Sequence, residues 1–409
     1  MPTASAPGAP AGASDAELTR RLPTLGKYFR PLRVPDPVAL PRVQELCDID
    51  DPFRGDAAAD SLFVEAMQEI NTWHAVRNPL YGALWQGAEA ERIGGIDRIT
   101  DLPYIHVNLF KRHALSSIDD DAKALRLTSS GTGGQKTEIG FDAWSIGSAQ
   151  RMDAWTMKAL GLIDVERPAN YLVLGHEPDP RLTVGAAHGL NELCDFAPVA
   201  SAVHALRNTG EGHEFNPTGS VDALLDFAAR DEPVRIVGFP ALLHAVLERM
   251  ETMGVPSLDL PAGSLVITGG GWKGQADRSI GRIEFRETIG RRLGIADERI
   301  RDCYGSVEHC LPYIECAAHH FHVPVWSRCV VRDVRTLEPV GHGVPGYLQF
   351  VSPFITALPA HSILMADLGT LHPPGDCGIA TPWFEVHGRA GVRRNRNCAV
   401  AAAELLEVR

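Results

Sequence analysis

Between residues 170 and 303 the chain alternates short apolar runs with helical patterns, and this alternation constrains the fold more than any other feature. The runs are NYLVLG at 170–175, VRIVGF at 234–239, SLVIT at 264–268 and a strand ending near Cys303; helical spacing fills 221–230, 241–253 and 276–293. Strands that are apolar on both faces need cover on both faces, and parallel neighbours need crossover helices. The expected fold class is therefore α/β: a large domain of mostly parallel sheets flanked by helices. Upstream, Leu62, Phe63, Ala66, Met67, Ile70 and Trp73 fall at helical spacing, as do Trp144, Met152, Trp155 and Leu160 over 141–161. The segment DLPYIHVNLFKRH at 101–113 reads as a strand and turn, with His106 and Lys111 at edge or surface positions. Residues 184–220, rich in Gly, Asn and Pro, give no regular pattern. Beyond Phe321 the runs VPVWSRCVVRD and GYLQFV, parted by Pro and Gly turns, predict a smaller β-rich subdomain. The expected organisation is a disordered tail at 1–16, an α/β core at 17–320, the β-rich subdomain at 321–388 and a short terminal segment at 389–409.

Composition narrows the function classes. A chain of 409 residues, 44% of them hydrophobic, can bury a substantial core. Its net charge of −12, with the sole basic cluster at 389–396, argues against a nucleic-acid surface. No segment reaches the ~20 apolar residues that span a bilayer. The start, MPTASAPGAPAGAS, lacks a signal peptide's charged and apolar regions, so a cytoplasmic protein without a membrane partner is expected. Eight Cys at irregular spacing form no disulfide framework and are expected as thiols.

Three stretches carry chemistry. LTSSGTGGQKT at 127–137 follows a run of β-formers. Gly frees backbone N–H groups to converge on an anion, and the hydroxyls and ammonium add donors, so a phosphate-holding loop is expected; a polar surface turn is the bland alternative. It is no P-loop, because Gln135 separates Gly134 from Lys136. GGGWKG at 269–274 fits G-x-G-x-x-G after a strand, with Glu287 placed downstream for a ribose, but Trp272 and Lys273 add bulk where a pyrophosphate must approach. Cys303, Cys310, Cys316, His319, His320 and His322 are dense enough to suggest zinc, yet their spacing matches no closed structural site.

Order along the chain decides between these readings. The 127–137 loop precedes the Gly triplet, then DCYGSVEH at 302–309, MADLGTL at 365–371 and FEVHGRAG at 384–391. This succession resembles the adenylate-forming superfamily of acyl- and aryl-activating enzymes. The resemblance implies ATP and Mg²⁺ as cofactors. It implies ATP contacts from Ser129, Ser130, Gly131, Thr132, Gly133, Gly134 and Lys136 in the first loop. Gly269, Gly270, Gly271, Tyr304 and Gly305 would line the adenine and acyl sites, with Asp367 and Arg389 at the ribose. The residue types suit those roles: Tyr304 for stacking on a purine, Glu308 as a hard oxygen ligand for Mg²⁺, and Asp367 as an acceptor for two hydroxyls. Singly, each could equally be core or solvated surface.

Departures narrow the branch. Lys136-Thr137 stands where the superfamily has Pro-Lys, and Gly133 where it has Thr. Only 20 residues follow Arg389, where related ligases carry a lid domain of about a hundred residues. With GFP at 238–240, HVPVW at 322–326 and the terminal GRAGVRRNRNCAVAAAELLEVR, the chain is similar to the LuxE-like acyl-protein synthetases over roughly Phe63 to Cys398. That resemblance implies activation of a carboxylic acid, expected to be fatty, as acyl-AMP, then transfer to Cys398 and on to an acceptor protein, a reductase or carrier. Arg393, Arg394 and Arg396 beside Cys398 favour its thiolate; a buried structural Cys is the bland alternative. Phe239, Trp272 and His309 are expected at the acyl or phosphate site. Rival readings are a CoA- or amide-forming ligase, a Rossmann dehydrogenase, and a family member that binds nucleotide or acyl chains without turnover.

Overall fold

The computed structural model describes residues 13–90, 99–110, 112–113, 115–128, 138–179, 185–272 and 279–389. Four helices open the described chain: α1 (Asp15–Arg21), α2 (Pro41–Cys47), α3 (Ala57–Arg77) and α4 (Pro79–Ala90). The short strand β1 (Ile105–His106) and the pair β2 (Leu125–Thr128) and β3 (Glu138–Phe141) lead into α5 (Ala143–Ala159). Next come β4 (Ala169–His176), α6 (Gly185–Glu192), β5 (Val199–Asn208), β6 (His213–Phe215), α7 (Pro217–Ala228), β7 (Val234–Gly238), α8 (Pro240–Thr252) and β8 (Leu265–Gly269). The chain continues through α9 (Arg282–Leu293), β9 (Ile300–Tyr304), β10 (Tyr313–Ile314), β11 (Phe321–His322), β12 (Arg328–Arg332), β13 (Pro345–Val351), β14 (Ser362–His372) and β15 (Trp383–Arg389).

The alternation read between 170 and 303 becomes a seven-stranded sheet in the order β10-β9-β8-β7-β4-β5-β6. Its β4–β5, β4–β7, β7–β8 and β8–β9 pairs are parallel. Every residue of β4 and β7 is buried, as the double cover requires. Successive side chains point to opposite faces, and two cores follow. Leu172, Leu174, Ile236 and Val266 pack with apolar residues of α7, α8 and α9. Tyr171, Val173, Val237 and Ile267 pack on the other side with Leu18, Tyr28, Ala154 and Met157.

A second sheet runs β11-β15-β14-β13-β12, antiparallel, with β1 added parallel to β14. The fully buried Trp326 ties it to the segment after α2 and to α5: its indole N–H donates to the Ile49 carbonyl at 3.0 Å, and its ring stacks on Trp155 at 5.8 Å.

Four expectations need correction. The span 184–220 holds α6, β5 and β6; β5, VASAVHALRN, is built from small and polar residues with partly exposed positions, so it lacks the apolar run that marks its neighbours. The helix expected from residue 276 begins at Arg282, because the extended Gly281 (ψ 149°) serves as its N-cap. The tail expected over 1–16 overlaps α1, where the Ser14 hydroxyl accepts the Glu17 N–H at 3.2 Å and Leu18 is buried. In 101–113 the strand is only two residues, and His106 Nδ1 caps the following turn by accepting the Asn108 N–H at 3.1 Å; Lys111 lies outside the described residues.

Candidate functional site

Ligands of open parallel sheets bind beyond the carboxyl ends of the strands, and the described candidates gather there. At the end of β7, Gly238 has φ +131° and sits so close to β4 that a Cβ would meet the Leu174 carbonyl oxygen at 2.4 Å. Phe239 follows, buried, its N–H donating to that same carbonyl at 3.0 Å. At the end of β8, a Cβ on Gly269 would approach the Cys303 carbonyl oxygen to 2.7 Å. Gly270 (φ +84°) and Gly271 (φ +70°) then turn the chain through the left-handed region. A Cβ on Gly270 would touch the Phe239 ring at 3.2 Å, so these two sequence-predicted residues are neighbours. Trp272 packs edge-on against His244 at 5.2 Å and Phe285 at 5.3 Å. Gly238→Ala is expected to cost at least ~2 kcal/mol of unfolding free energy, read as a lower urea midpoint, because strain and a backbone clash add.

The end of β9 meets the second sheet. Tyr304 donates its hydroxyl to Asp367 Oδ2 at 3.1 Å, and Arg389 donates Nε–H to Asp367 Oδ1 at 3.3 Å. Asp367 and Arg389 face each other in the β14–β15 register, beside the irregularity at Leu368/Gly369. The Tyr304 ring lies among Phe350 at 5.7 Å, Phe384 at 5.8 Å, and Phe321 and Tyr313, both at 6.4 Å. Burial, then the Asp367 charge, push its phenol well above the usual range, so the hydroxyl stays a donor.

Gly305 opens a tight turn closed by the Cys310 N–H on the Ser306 carbonyl at 2.9 Å, with Cys310 at φ +57°. Glu308 is buried within it. His309 is also buried, and its described contacts lie with β10 of the first sheet and β13 of the second rather than with Phe239 and Trp272. Its ring stacks on Tyr313 and Phe350, and Nε2 pairs with the Tyr313 hydroxyl at 2.8 Å, which pairs with Ser327 Oγ at 2.7 Å. Burial lowers its pKa to about 3 and keeps the ring neutral.

Ser129, Ser130, Gly131, Thr132, Gly133, Gly134, Lys136 and Cys398 lie outside the described residues. β2 and β3 flank the first group, pairing Thr128 with Glu138; Arg389 at the end of β15 precedes Cys398. The dinucleotide reading loses its geometry: Ser279 and Ile280 are not helical, α9 starts only at Arg282, and Glu287 is exposed. One contributor to the region, Ser306, was not singled out by sequence; its hydroxyl accepts the His309 N–H at 3.2 Å and helps fix the turn.

A mostly parallel sheet is thus joined through Tyr304 and Asp367 to an antiparallel one. The structure of a 2-hydroxyisobutyryl-CoA ligase in an open conformation shares the fold, with a TM-score of 0.59 at 14% identity, covering 84% of this chain and 78% of that one. Residues 93–407 match the model of the acyl-protein synthetase, LuxE family, and the chain belongs to that family. It is 24% identical to a long-chain-fatty-acid–luciferin-component ligase of Vibrio harveyi over 77% of this chain and 81% of that protein. The same-named protein of Aliivibrio fischeri is 26% identical over 76% of this chain and 80% of its own length. Among the described residues, no helix is long and apolar enough to cross a membrane.

Proposed function

We propose that this protein activates a long-chain fatty acid with ATP and passes the acyl group through Cys398 to an acceptor protein. The observation that carries the reading is Asp367, held between Tyr304 and Arg389 where the two sheets meet, beside the turn that buries Glu308. Each Asp367 oxygen has spare acceptor capacity beyond its one described donor, which suits a ribose diol. Beside the tightly packed Gly269 and Gly270, Gly271 faces open space, with nothing within 4 Å of where its Cβ would stand, which suits a flat purine or an acyl chain at close approach.

In the first half-reaction a carboxylate oxygen of the acid attacks the α-phosphorus of ATP, and pyrophosphate leaves with the broken P–O bond. Ser129, Ser130, Thr132 and Lys136 would stabilise the charge on the departing phosphates. Glu308 would hold the Mg²⁺ that neutralises them. In the second, the Cys398 thiolate attacks the acyl carbon of the mixed anhydride, forming a thioester as AMP leaves. A nucleophile of the acceptor, a reductase or a carrier, then attacks the thioester carbonyl and takes the acyl group, and the Cys398 thiolate leaves.

The test incubates the protein with ATP, Mg²⁺ and a panel of fatty acids, recording pyrophosphate and intact mass. Pyrophosphate release with an acyl adduct, the adduct absent in Cys398→Ser, is the expected result. Release without an adduct in the wild type overturns the Cys398 step and points to a small-molecule acceptor; no release with any acid overturns the activity.

A further inference from the structure

The second sheet brings four side chains from two distant parts of the chain to one point. Cys316, His320, His322 and Cys377 each offer a ligand atom, and these atoms all lie within 4.8 Å of one another. His322 Nε2 is 3.2 Å from Cys377 Sγ. In a tetrahedral zinc site, with metal–ligand lengths of about 2.0–2.3 Å, ligand atoms stand roughly 3.3–3.8 Å apart, so small side-chain adjustments close the set. Two Cys and two His match a closed structural site in number and softness.

The surroundings are built as a second shell would be. His322 Nδ1 lies 3.0 Å from the Thr381 carbonyl, which must be an N–H donation, so Nε2 presents its lone pair toward Cys377. The Ala318 N–H donates to Cys316 Sγ at 3.4 Å, a contact that favours a thiolate. His320 Nδ1 is buried without a hydrogen-bond partner among the described residues, an unsatisfied nitrogen that a metal would occupy. Its ring is held by stacking on Trp383 at 3.7 Å. The turn bearing the first ligands is closed by the His319 N–H on the Cys316 carbonyl at 2.9 Å and the Cys316 N–H on the His320 carbonyl at 3.0 Å. His319 takes φ +61° to allow it.

We propose that Cys316, His320, His322 and Cys377 bind a structural zinc ion that clamps the turn before β11 to the loop joining β14 and β15. Both thiols release their protons on binding, and the two thiolates balance the dication. All four positions are filled by protein, so the ion has no place for substrate. The site lies at the His372–Trp383 end of the β14–β15 hairpin, and Asp367 and Arg389 pair at the other. It anchors the hairpin that delivers Asp367. Of the six residues that the sequence gathered as a Cys/His cluster, three belong to this set. Cys303, Cys310 and His319 do not: Cys303 and Cys310 are thiols pushed up by burial, and His319 pairs with Asp297 at 2.7 Å. Cys377 takes their place.

Metal analysis of the full chain, purified without chelator from zinc-supplemented culture, tests this. About one zinc per chain is expected in the wild type and in Cys303→Ala, with loss in the Cys316→Ser/Cys377→Ser double variant. Should the double variant not fold, cobalt exchange into the wild type still decides. Thiolate-to-cobalt charge transfer with intense d–d bands marks a tetrahedral sulfur-ligated site. A wild-type protein with far less than one zinc that also takes up no cobalt in this form overturns the proposal, as does a Cys316–Cys377 disulfide in protein purified from a reducing cytosol.

Discussion

Asp367→Ala lowers kcat/KM for ATP in acid-dependent pyrophosphate release by about 10²- to 10³-fold, through two lost hydrogen bonds to a charged acceptor at ~1.5–2 kcal/mol each. The carboxylate is buried, and Tyr304 and Arg389 reach it from different strands. In the proposed complex it accepts both ribose hydroxyls, so its removal weakens ATP binding directly and also releases the two donors that orient it. Asp367→Asn keeps one carbonyl oxygen and the volume, and a loss of about tenfold is expected for that variant, from one weakened bond. The two variants separate binding from folding, since Asn preserves the packing between sheets. If Asp367→Asn unfolds normally and keeps wild-type kcat/KM for ATP, the ribose role of Asp367 is wrong. If Asp367→Ala loses activity only in proportion to its unfolded fraction, the residue is a structural tie between the sheets and no more.

This contact also marks where sequence reading stops. β4, β7 and β8 were legible because a strand covered on both faces must be apolar throughout, and that composition is visible without partners. α8 was legible from the same alternation. β5 was not: it lies next to the edge strand β6, exposes part of its length, and its Ala, Ser and His residues carry no periodic signal. Type and order along the chain named the candidate site residues, but not which of them adjoin. Tyr304 and Asp367 are 63 residues apart, and only the meeting of two sheets joins them. Phe239 and Gly270 adjoin because β7 and β8 are neighbours in register; His309, chosen for its position beside Glu308, has its ring drawn into the aromatic packing around Phe350. Cys377 is 55 residues from His322 in a Gly- and Pro-rich loop, and no local spacing rule reaches that far.

The fold also stores neutral histidines, and acid will draw on them. His74 and His309 are fully buried with pKa values lowered to about 3, His361 is lowered well below its ordinary value, and His176 is lowered to about 4, burial leading in every case. Geometry demands the neutral form for the stacked pair His74 and His361, whose ring centroids are 4.7 Å apart. His74 Nε2 faces the Ile355 carbonyl at 2.9 Å, and Nδ1 takes the Ser117 hydroxyl at 2.7 Å. His361 Nε2 faces Asn71 Oδ1 and the Tyr81 hydroxyl, both at 2.8 Å. A group whose folded pKa is lowered gives a base stability that is complete above its unfolded pKa, near 6.5, and lost as pH falls from there toward the folded value. Two carboxyls act in the opposite sense: burial pushes Asp153 and Asp302 up to about 7, so acid protonates them in the folded state first. With His322 of the proposed zinc set left aside, these four histidines against two carboxyls leave the unfolded chain binding about two more protons, a slope of roughly 3 kcal/mol per pH unit. The partial exposure of Asp302 weakens its opposition and steepens the fall. Unfolding free energy from urea titrations should therefore drop by about 3 kcal/mol between pH 6.5 and pH 5, well above the range where most carboxylates titrate. A stability that is flat or rising across that interval would mean that these imidazoles are solvated or charged in the native protein, and that the buried His74–His361 stack is not as drawn.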